Sequence, residues 1–420
     1  MQPTNSSQLV HILQRTLNRV DPRLIGHGER VAILMHQILK QVPDISPRER
    51  SNLLLMGLLH DIGAYKTEDI DDMLCFERDG VWEHAAYGYL YLKLLSPLGE
   101  LARPILFHHL AYQDYHKVSP HLDPQDPAGL IFMADRADML LMQLNTDECL
   151  RWIRRHNGVR CTPYWTERFL AAAADGALLE RLKGGQYEDL RREMIDNLTF
   201  APDEIRQYLS TIAYSIDFHS EFMVLHTVTT VSVSQVLGKL VGVPEEEEDS
   251  LYYGALLHDL GKVDCPVDIL EKPGKLTDTE MAVMKQHVST TRDILEGYID
   301  QEVVEIAARH HERQDGSGYP QGLPGQALTT AQRIVAVADV VSALVRRRSY
   351  KGAFDKETTL GILLRMKADG QFCGTVIDAL LEHYDDVLAT AERFGAPITA
   401  TYEHLLKDYQ VLLSGLPRAK

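Results

Sequence analysis

Apolar residues recur at helical spacing along most of the chain, as in ERSNLLLMGLLHDIG (49–63), DSLYYGALLHDLG (249–261) and TLGILLRMKADG (359–370). Strict alternation of apolar and polar residues, the pattern of a half-buried strand, is scarce. The β-branched stretch VLHTVTTVSVSQVLGKL (224–240) could form a strand, but its length and the spacing of its apolar residues favour a helix. The pattern therefore predicts an all-α fold.

The helical pattern contains an internal repeat. LLLMGLLHDIG (53–63) is echoed by LYYGALLHDLG (251–261), and His and Asp residues around each segment follow in the same order at nearly the same intervals. The first set comprises His27, His60, Asp61, His84, His108, His109 and Asp135; the second comprises His226, His258, Asp259, His287, His310, His311 and Asp339. We expect two copies of one helical domain, over residues 1–200 and 201–420.

The composition of the second set indicates a metal centre. It combines imidazoles and carboxylates without a thiolate, which disfavours a structural zinc site and suits Fe, Mn, Ni, Co or catalytic Zn. Seven side chains are too many for one open catalytic ion, whereas two ions bridged by Asp259 would use them all. Two ions about 3.5–4 Å apart are a recurrent device for hydrolysing phosphate esters.

Charge and cysteine content narrow the class of protein. The formal net charge of −17 argues against a binder of DNA or RNA polymers or of anionic membranes, although a small phosphate ligand stays open. The five cysteines are scattered and form no CxxC pair, which fits a reducing cytoplasm. The N-terminus lacks the apolar core of a signal peptide, and no apolar stretch has the length of a membrane helix. We expect a cytoplasmic protein, and a homodimer is left open.

Three segments of the second copy resemble a known family: HDLGK (258–262), HHERQDGSGYP (310–320) and RIVAVADVVSAL (333–344). They are similar to the HD superfamily of metal-dependent phosphohydrolases, and in particular to its HD-GYP branch, the cyclic dinucleotide phosphodiesterases. The resemblance runs from about His226 to Lys351. It implies that the second set of seven residues ligates metal, with Asp259 and Lys262 as catalytic residues.

The resemblance also implies a substrate and its contacts. Lys262 would touch the scissile phosphate, and Arg348 and Lys351 would grip the substrate phosphates. Members of the branch with a third metal carry Glu four residues before the first His, where this chain has Phe222, so we expect two divalent ions, Fe, Mn or similar. The substrate would be cyclic di-GMP or 3′,3′-cyclic GMP-AMP, with the tandem arrangement favouring the latter, and the product a linear dinucleotide.

The first copy lacks parts of this pattern. HHLAYQDYH (108–116) replaces HHERQDGSGYP, and Ala64 stands where the second copy has Lys262. The first copy could be a second active site, a metal-stabilised regulatory domain or an empty relic; we expect it to regulate the second copy. Rival functions for the whole chain are another nucleotide phosphohydrolase of the HD superfamily and a catalytically silent sensor of cyclic dinucleotides.

Overall fold

The computed structural model describes residues 4–20, 25–64, 82–118, 122–123, 125–174, 176–219, 225–345 and 354–416. These residues form α-helices and short 3-10 helices without a β-strand, so the all-α prediction is confirmed. They divide into two compact units. The N-terminal unit comprises Leu17–Gln207 and His404–Lys420, and the C-terminal unit comprises Met1–Thr16 and Tyr208–Glu403.

The N-terminal unit is built from ten helices among the described residues. They are α2 (His27–Leu39), α3 (Pro47–Leu59), α4 (Glu83–Leu95), α5 (Arg103–Leu106), α6 (Tyr115–Val118), α7 (Pro127–Gln143), α8 (Thr146–Arg155), α9 (Pro163–Ala172), α10 (Ala177–Lys183) and α11 (Glu188–Asp196). Two 3-10 helices, Gly99–Ala102 and Tyr112–Asp114, complete this set. Helix α7 is buried along nearly its whole length and packs on α2, α5, α8 and α9, which makes it the centre of this core.

The C-terminal unit contains α1 and the helices of the second copy. They are α1 (Ser6–Leu17), α13 (His226–Val241), α14 (Glu245–Leu257), α15 (Val267–Leu270), α16 (Asp278–Leu295), α17 (Gln301–Ala307), α18 (Thr330–Val345), α19 (Lys356–Ala368) and α20 (Gly374–Glu382), with 3-10 helices Leu260–Asp264 and Gly325–Ala327. Unit boundaries fall inside α12 (Pro202–His219) and α21 (Tyr384–Gly415). The ambiguous β-branched stretch forms helix α13 from His226 onward, and this helix packs against α14, α18 and α20.

A division of the chain at residue 200 would place its first residues in the N-terminal unit and its last residues in the C-terminal unit. The compact units have the reverse assignment at both ends. Helix α1 groups with the C-terminal unit, where Thr4 Oγ1 donates a hydrogen bond of 2.7 Å to the carbonyl of Tyr298, and the His11 ring lies 4.6 Å from the Tyr298 ring. His404–Lys420, at the other end, groups with the N-terminal unit. Contacts between residues so distant in the chain leave no trace in a local sequence pattern.

A glycine follows each His-Asp pair for a steric reason. A Cβ on Gly261 would lie 1.9 Å from the carbonyl oxygen of His287, and a Cβ on Gly63 would lie 2.0 Å from that of His84. The turn after the His-Asp pair therefore touches the backbone of the helix that carries the next histidine. Only glycine allows this approach, and it fixes three potential ligands relative to one another.

Candidate metal centres

The C-terminal unit brings all seven residues of the second set together. His226 is the first residue of α13, His258 and Asp259 directly follow α14, His287 lies in α16, His310 and His311 follow α17, and Asp339 lies in α18. Five separate segments thus converge on one point. His258, His287 and His310 are nearly inaccessible to solvent, which is unusual for polar side chains without a ligand or ion.

Asp259 lies between two groups of histidines. Its Oδ2 is 3.1 Å from Nε2 of His226 and 3.1 Å from Nε2 of His258. Its Oδ1 is 3.5 Å from Nε2 of His287 and 3.8 Å from Nε2 of His310. One carboxylate therefore faces a histidine pair with each oxygen, which is the arrangement expected of a ligand that bridges two ions.

Asp339 joins the remaining residues to the cluster. Its Oδ1 is 3.2 Å from Nε2 of His226, and its Oδ2 is 3.6 Å from Nδ1 of His311. The two aspartates together give the site a strong negative charge. Burial lowers the pKa of His226, but the carboxylates of Asp259 and Asp339 outweigh burial and raise it to about 9. The centre therefore attracts positive charge, as a metal site must.

Backbone contacts orient the imidazoles for metal binding. Nδ1 of His258 lies 2.8 Å from the carbonyl of Ala255, and His287 and His310 make the same contact with Met284 (2.6 Å) and Ala307 (2.7 Å). A carbonyl accepts, so Nδ1 carries the proton and the lone pair of Nε2 faces inward.

The protonation of the cluster also suits metal binding. Burial lowers the pKa of His287 to about 4 and that of His311 to about 3, which keeps these rings neutral. Burial raises the pKa of Asp259, but His258 and Lys262 outweigh it and hold the pKa well below its usual range. Oδ1 of Asp259 is buried without a hydrogen-bond partner. Neutral imidazoles, an ionised carboxylate and an orphaned oxygen fit a pair of divalent ions.

Lys262, which the N-terminal copy lacks, lies beside Asp259. Its Nζ is 2.6 Å from Oδ2 of Asp259, on the side that faces His226 and His258. Burial lowers the pKa of Lys262, but the charge of Asp259 outweighs it and raises the pKa, so the ammonium is charged. A buried cation beside the carboxylate of Asp259 is well placed to meet a phosphate oxygen.

The glycine-rich turn folds back on the second histidine. The amide of Tyr319 donates to the carbonyl of His311 at 3.1 Å, and the two rings lie 4.7 Å apart. The buried carboxylate of Glu312 accepts from the amides of Gln321 and Leu323 at 2.7 and 2.8 Å. A Cβ on Gly318 would lie 2.4 Å from the amide nitrogen of Arg313. The glycine thus serves the packing of the turn, and the turn supports His311.

Some predicted residues lie outside the described part of the chain. They are the proposed phosphate contacts Arg348 and Lys351, and Phe222 at the position of a third-metal ligand.

The N-terminal unit repeats the cluster around Asp61. Oδ2 of Asp61 is 3.2 Å from Nε2 of His60 and 3.6 Å from Nε2 of His27, and its Oδ1 is 3.5 Å from Nε2 of His108 and 3.7 Å from Nε2 of His84. His60 Nδ1 lies 2.8 Å from the carbonyl of Gly57, as in the other unit. Nε2 of His60 and of His108 and Oδ1 of Asp61 are buried without hydrogen-bond partners, so this cluster also fits a metal.

Asp135 completes this cluster as Asp339 does in the other unit. Its Oδ1 lies 3.4 Å from Nε2 of His27, and its Oδ2 lies 3.8 Å from Nδ1 of His109. Ala64, in the place of Lys262, is buried and supplies no cation.

A further layer of residues was not anticipated from the sequence. Asp138 lies one helical turn after Asp135, and its Oδ2 is 2.8 Å from Nδ1 of His27. Arg30 donates to both oxygens of Asp138, at 2.6 and 2.9 Å. Ser342, one turn after Asp339, makes the corresponding contact to Nδ1 of His226 at 3.1 Å. The shared offset of three residues is the one sequence signal that could have revealed this pair.

Comparison with known proteins agrees with this geometry. Models of the HD domain match residues 24–140 and 210–376. A 3′3′-cGAMP-specific phosphodiesterase of Vibrio cholerae, phosphodiesterase 1, is 30% identical over 403 residues, which cover 90% of this chain and 92% of that protein. The chain belongs to the HD-GYP family of cyclic dinucleotide phosphodiesterases.

Two further relatives of this HD-GYP protein differ in how much of it they match. The cyclic di-GMP phosphodiesterase response regulator RpfG of Xanthomonas campestris is 36% identical over 46% of this chain and 51% of its own length. The crystal structure of a cyclic GMP-AMP specific phosphodiesterase of V. cholerae (V-cGAP3) shares the fold, with a TM-score of 0.59 at 18% identity, over 91% of this chain and 98% of that one. Within the described residues, no helix has the length and apolar character needed to cross a membrane.

Proposed function

We propose that the C-terminal unit hydrolyses a phosphodiester bond of a cyclic dinucleotide and releases the linear dinucleotide. One observation carries the proposal: the two oxygens of Asp259 face two histidine pairs, and Lys262 lies 2.6 Å from one of those oxygens. A phosphodiester needs its charge neutralised and a water activated, and this cluster contains the residues for both tasks.

The proposed metal ligands divide into two groups that share Asp259. One group is His226, His258 and Asp339; the other is His287, His310 and His311. When bound, two divalent ions such as Fe or Mn supply a nucleophilic hydroxide and polarise the phosphate. The imidazole–carboxylate set supports these metals, because it offers no thiolate and the rings of His258, His287 and His310 turn Nε2 inward.

The chain's own residues would act on the phosphate directly. Lys262 would turn its ammonium from Asp259 to a non-bridging phosphate oxygen and stabilise the charge that develops there. The oxygen of water forms the new bond to phosphorus as the bond from phosphorus to a ribose oxygen breaks, and that ribose oxygen leaves as a hydroxyl with one proton. Arg348 and Lys351 would hold the second phosphate.

We propose 3′,3′-cyclic GMP-AMP as the preferred substrate. The support is that the relative matched over 90% of this chain is named as specific for that nucleotide. The free cysteines Cys149, Cys161, Cys265 and Cys373 support a reducing compartment, which we propose is the cytoplasm.

The N-terminal unit, in this proposal, modulates the C-terminal centre. Its histidines and carboxylates are in place, but Ala64 replaces the lysine, and HHLAYQDYH takes the place of the glycine-rich turn. A unit that keeps metal ligands and lacks the substrate-binding residues suits a regulatory role. Full activity and unchanged stability of a fragment spanning residues 205–420 would contradict it.

The function is tested by hydrolysis assays on the purified full chain supplied with Mn²⁺ or Fe²⁺. Substrates are 3′,3′-cyclic GMP-AMP, cyclic di-GMP and a simple aryl phosphodiester, with products separated chromatographically. We expect both cyclic dinucleotides to be cleaved, the hybrid faster, and cleavage to be lost in Asp259→Ala. No cleavage of either cyclic dinucleotide with any metal would refute the proposal; binding without turnover would favour a sensor.

A further inference from the structure

The N-terminal cluster differs from the C-terminal one by a buried arginine. Arg136 directly follows Asp135 in α7 and is 1% exposed. Its NH2 group lies 3.0 Å from Nδ1 of His109, while its Nε and NH1 have no hydrogen-bond partner. The residue at the same place in the C-terminal unit, after Asp339, is Val340. A full positive charge thus stands beside one cluster and is replaced by an apolar side chain beside the other.

The contact with Arg136 determines which nitrogen of His109 carries the proton. A guanidinium has five N–H donors and accepts no hydrogen bond, so Nδ1 of His109 must offer its lone pair to Arg136. The single proton of the neutral ring is then on Nε2. That Nε2 lies 3.0 Å from Nε2 of His84. Similar contacts join His287 to His310 (3.3 Å) and His226 to His258 (3.2 Å) in the C-terminal unit, so the tautomer of His109 is assigned from Arg136 alone. With its proton on Nε2, His109 has no lone pair there for a metal.

Five other histidines of the two clusters are held in the opposite way. His60, His108, His258, His287 and His310 each place Nδ1 against a backbone carbonyl, which accepts the Nδ1 proton and leaves the lone pair of Nε2 free. Nδ1 of His311, the counterpart of His109, faces the carboxylate of Asp339 at 3.6 Å, much as Nδ1 of His109 faces that of Asp135 at 3.8 Å, so the contact with Arg136 is what distinguishes the two rings. Among the described ligand candidates, His109 is the one whose ring contacts an obligatory donor.

The pocket around His109 also differs from the pocket around His311 in its charge and in how the other potential ligands are held. His84 has no hydrogen-bond partner at Nδ1, whereas its counterpart His287 is anchored by a carbonyl at 2.6 Å. The guanidinium of Arg136 adds a fixed positive charge in a region that excludes water, where repulsion of a divalent cation is weakly screened. His84, His108 and Oδ1 of Asp61 would remain to hold an ion there. Nε2 of His108 and Oδ1 of Asp61 are buried without hydrogen-bond partners, but three ligands beside a fixed positive charge are fewer than the four that the other pocket offers.

We propose that the N-terminal unit is a one-ion centre, held by His27, His60, Asp61 and Asp135, and that Arg136 excludes a second ion by withholding His109 from coordination. The pocket for the first ion is intact, because His27 is oriented by Asp138 and His60 by the carbonyl of Gly57. The inference concerns ion binding alone. It stands whether or not the C-terminal unit hydrolyses a cyclic dinucleotide.

Metal content of the full chain, loaded with Mn²⁺ and freed of excess, tests the inference. Arg136→Gln should bind one more ion per chain than the wild type, because the amide oxygen can accept the Nδ1 proton and free Nε2 of His109. Arg136→Val, which copies Val340, should do the same. Arg136→Lys keeps an obligatory donor and should leave the ion content unchanged. Thermal unfolding of each variant identifies any that fails to fold.

Ligand variants supply the complementary test. His109→Gln, whose amide oxygen still accepts from Arg136, should keep the ion content of the wild type, whereas His60→Gln should lose one ion per chain. His311→Gln in the C-terminal unit should also reduce the ion content, as the matched change at the counterpart of His109. Loss of an ion in His109→Gln, or no gain in folded Arg136→Gln and Arg136→Val, would overturn the inference.

Discussion

Nζ of Lys262 lies 2.6 Å from Oδ2 of Asp259, the oxygen that also faces His226 and His258. The ammonium of Lys262 therefore offsets the charge of the Asp259 carboxylate. At the equivalent position of the N-terminal unit, Ala64 has only a methyl group. Cation and carboxylate are three residues apart, at the turn that Gly261 allows to touch α16. The sequence HDLGK (258–262) therefore places an ammonium group next to the carboxylate of Asp259.

Replacing Lys262 by Ala should reduce turnover of the cyclic dinucleotide by about 10²–10³-fold, the usual cost of losing one donor to a developing negative charge. Metal content should persist, since the amine is not among the proposed ligands. The measurement is kcat beside the ion content of the same sample. Lys275→Ala, at an exposed position of the same unit, is the matched control and should keep wild-type turnover. An unchanged kcat in Lys262→Ala would show that the lysine does not contribute to catalysis.

Ser342→Ala should weaken metal binding by about 10–100-fold, the usual cost of removing the partner that orients a ligating histidine. Ser342 Oγ lies 3.1 Å from Nδ1 of His226 and donates to its carbonyl at 3.0 Å, so the hydroxyl fixes both the ring and its backbone. Titration of metal-free protein with Mn²⁺ measures the change. Ser250→Ala, which removes an exposed hydrogen bond of 2.9 Å to Glu302 and touches none of the proposed ligands, should leave affinity unaltered.

Sequence reasoning succeeded where local pattern carried the information. Helical periodicity indicated the all-α fold, and the repeated order of His and Asp named both clusters before any distance was known. The surrounding layer was missed for a physical reason. Ser342 and Arg136 lie in apolar helices, and their effect depends on side-chain direction and on partners that are far away in the chain. Similarly, α1 reaches the C-terminal unit through contacts such as Thr4 with Tyr298.

The packing of the glycine-rich turn could not be predicted from the sequence for the same reason. Gly318 packs against the backbone of His311 and Arg313, and the carboxylate of Glu312 accepts hydrogen bonds from the amides of Gln321 and Leu323. A motif reveals that glycine is needed but not whether a ligand or the chain itself makes the close approach.

Gly318→Ala should displace the turn, because the added Cβ would lie 2.4 Å from a backbone nitrogen and 2.5 Å from Cα of Glu312. We expect a loss of about 1–3 kcal/mol in the free energy of unfolding, as for other overpacked sites, together with reduced turnover as Tyr319 leaves the His311 ring. Gly361→Ala is the control. No atom lies within 4 Å of a Cβ at this helical position, so the substitution should leave the free energy of unfolding unchanged or raise it. Equal behaviour of the two variants would contradict the steric account.

A pH-dependent contribution to stability should come from Glu305, which joins α16 to α17. Its carboxylate accepts from both terminal nitrogens of Arg292 at 2.7 and 3.0 Å, and Arg309 lies 2.7 Å away. The hydrogen bonds from Arg292 lower the pKa of Glu305, and they outweigh burial, which raises it. Above the unfolded pKa of glutamate, about 4.3, the stabilisation is fully present, and it is lost as the pH falls through the lowered folded-state pKa.

Glu305→Gln should therefore lower the free energy of unfolding at neutral pH by about 0.5–1 kcal/mol, the range for partly exposed ion pairs, and by less in acid, where the wild type has lost the same charge. Denaturant unfolding at neutral and acidic pH, at low and high salt, measures the difference. Salt should reduce it, because the pair is partly open to solvent. Glu382→Gln, at an exposed position, should show no such pH dependence. A difference that grows in acid would mean that Glu305 stabilises the unit through its packing, since charge pairing can only weaken as the carboxylate protonates.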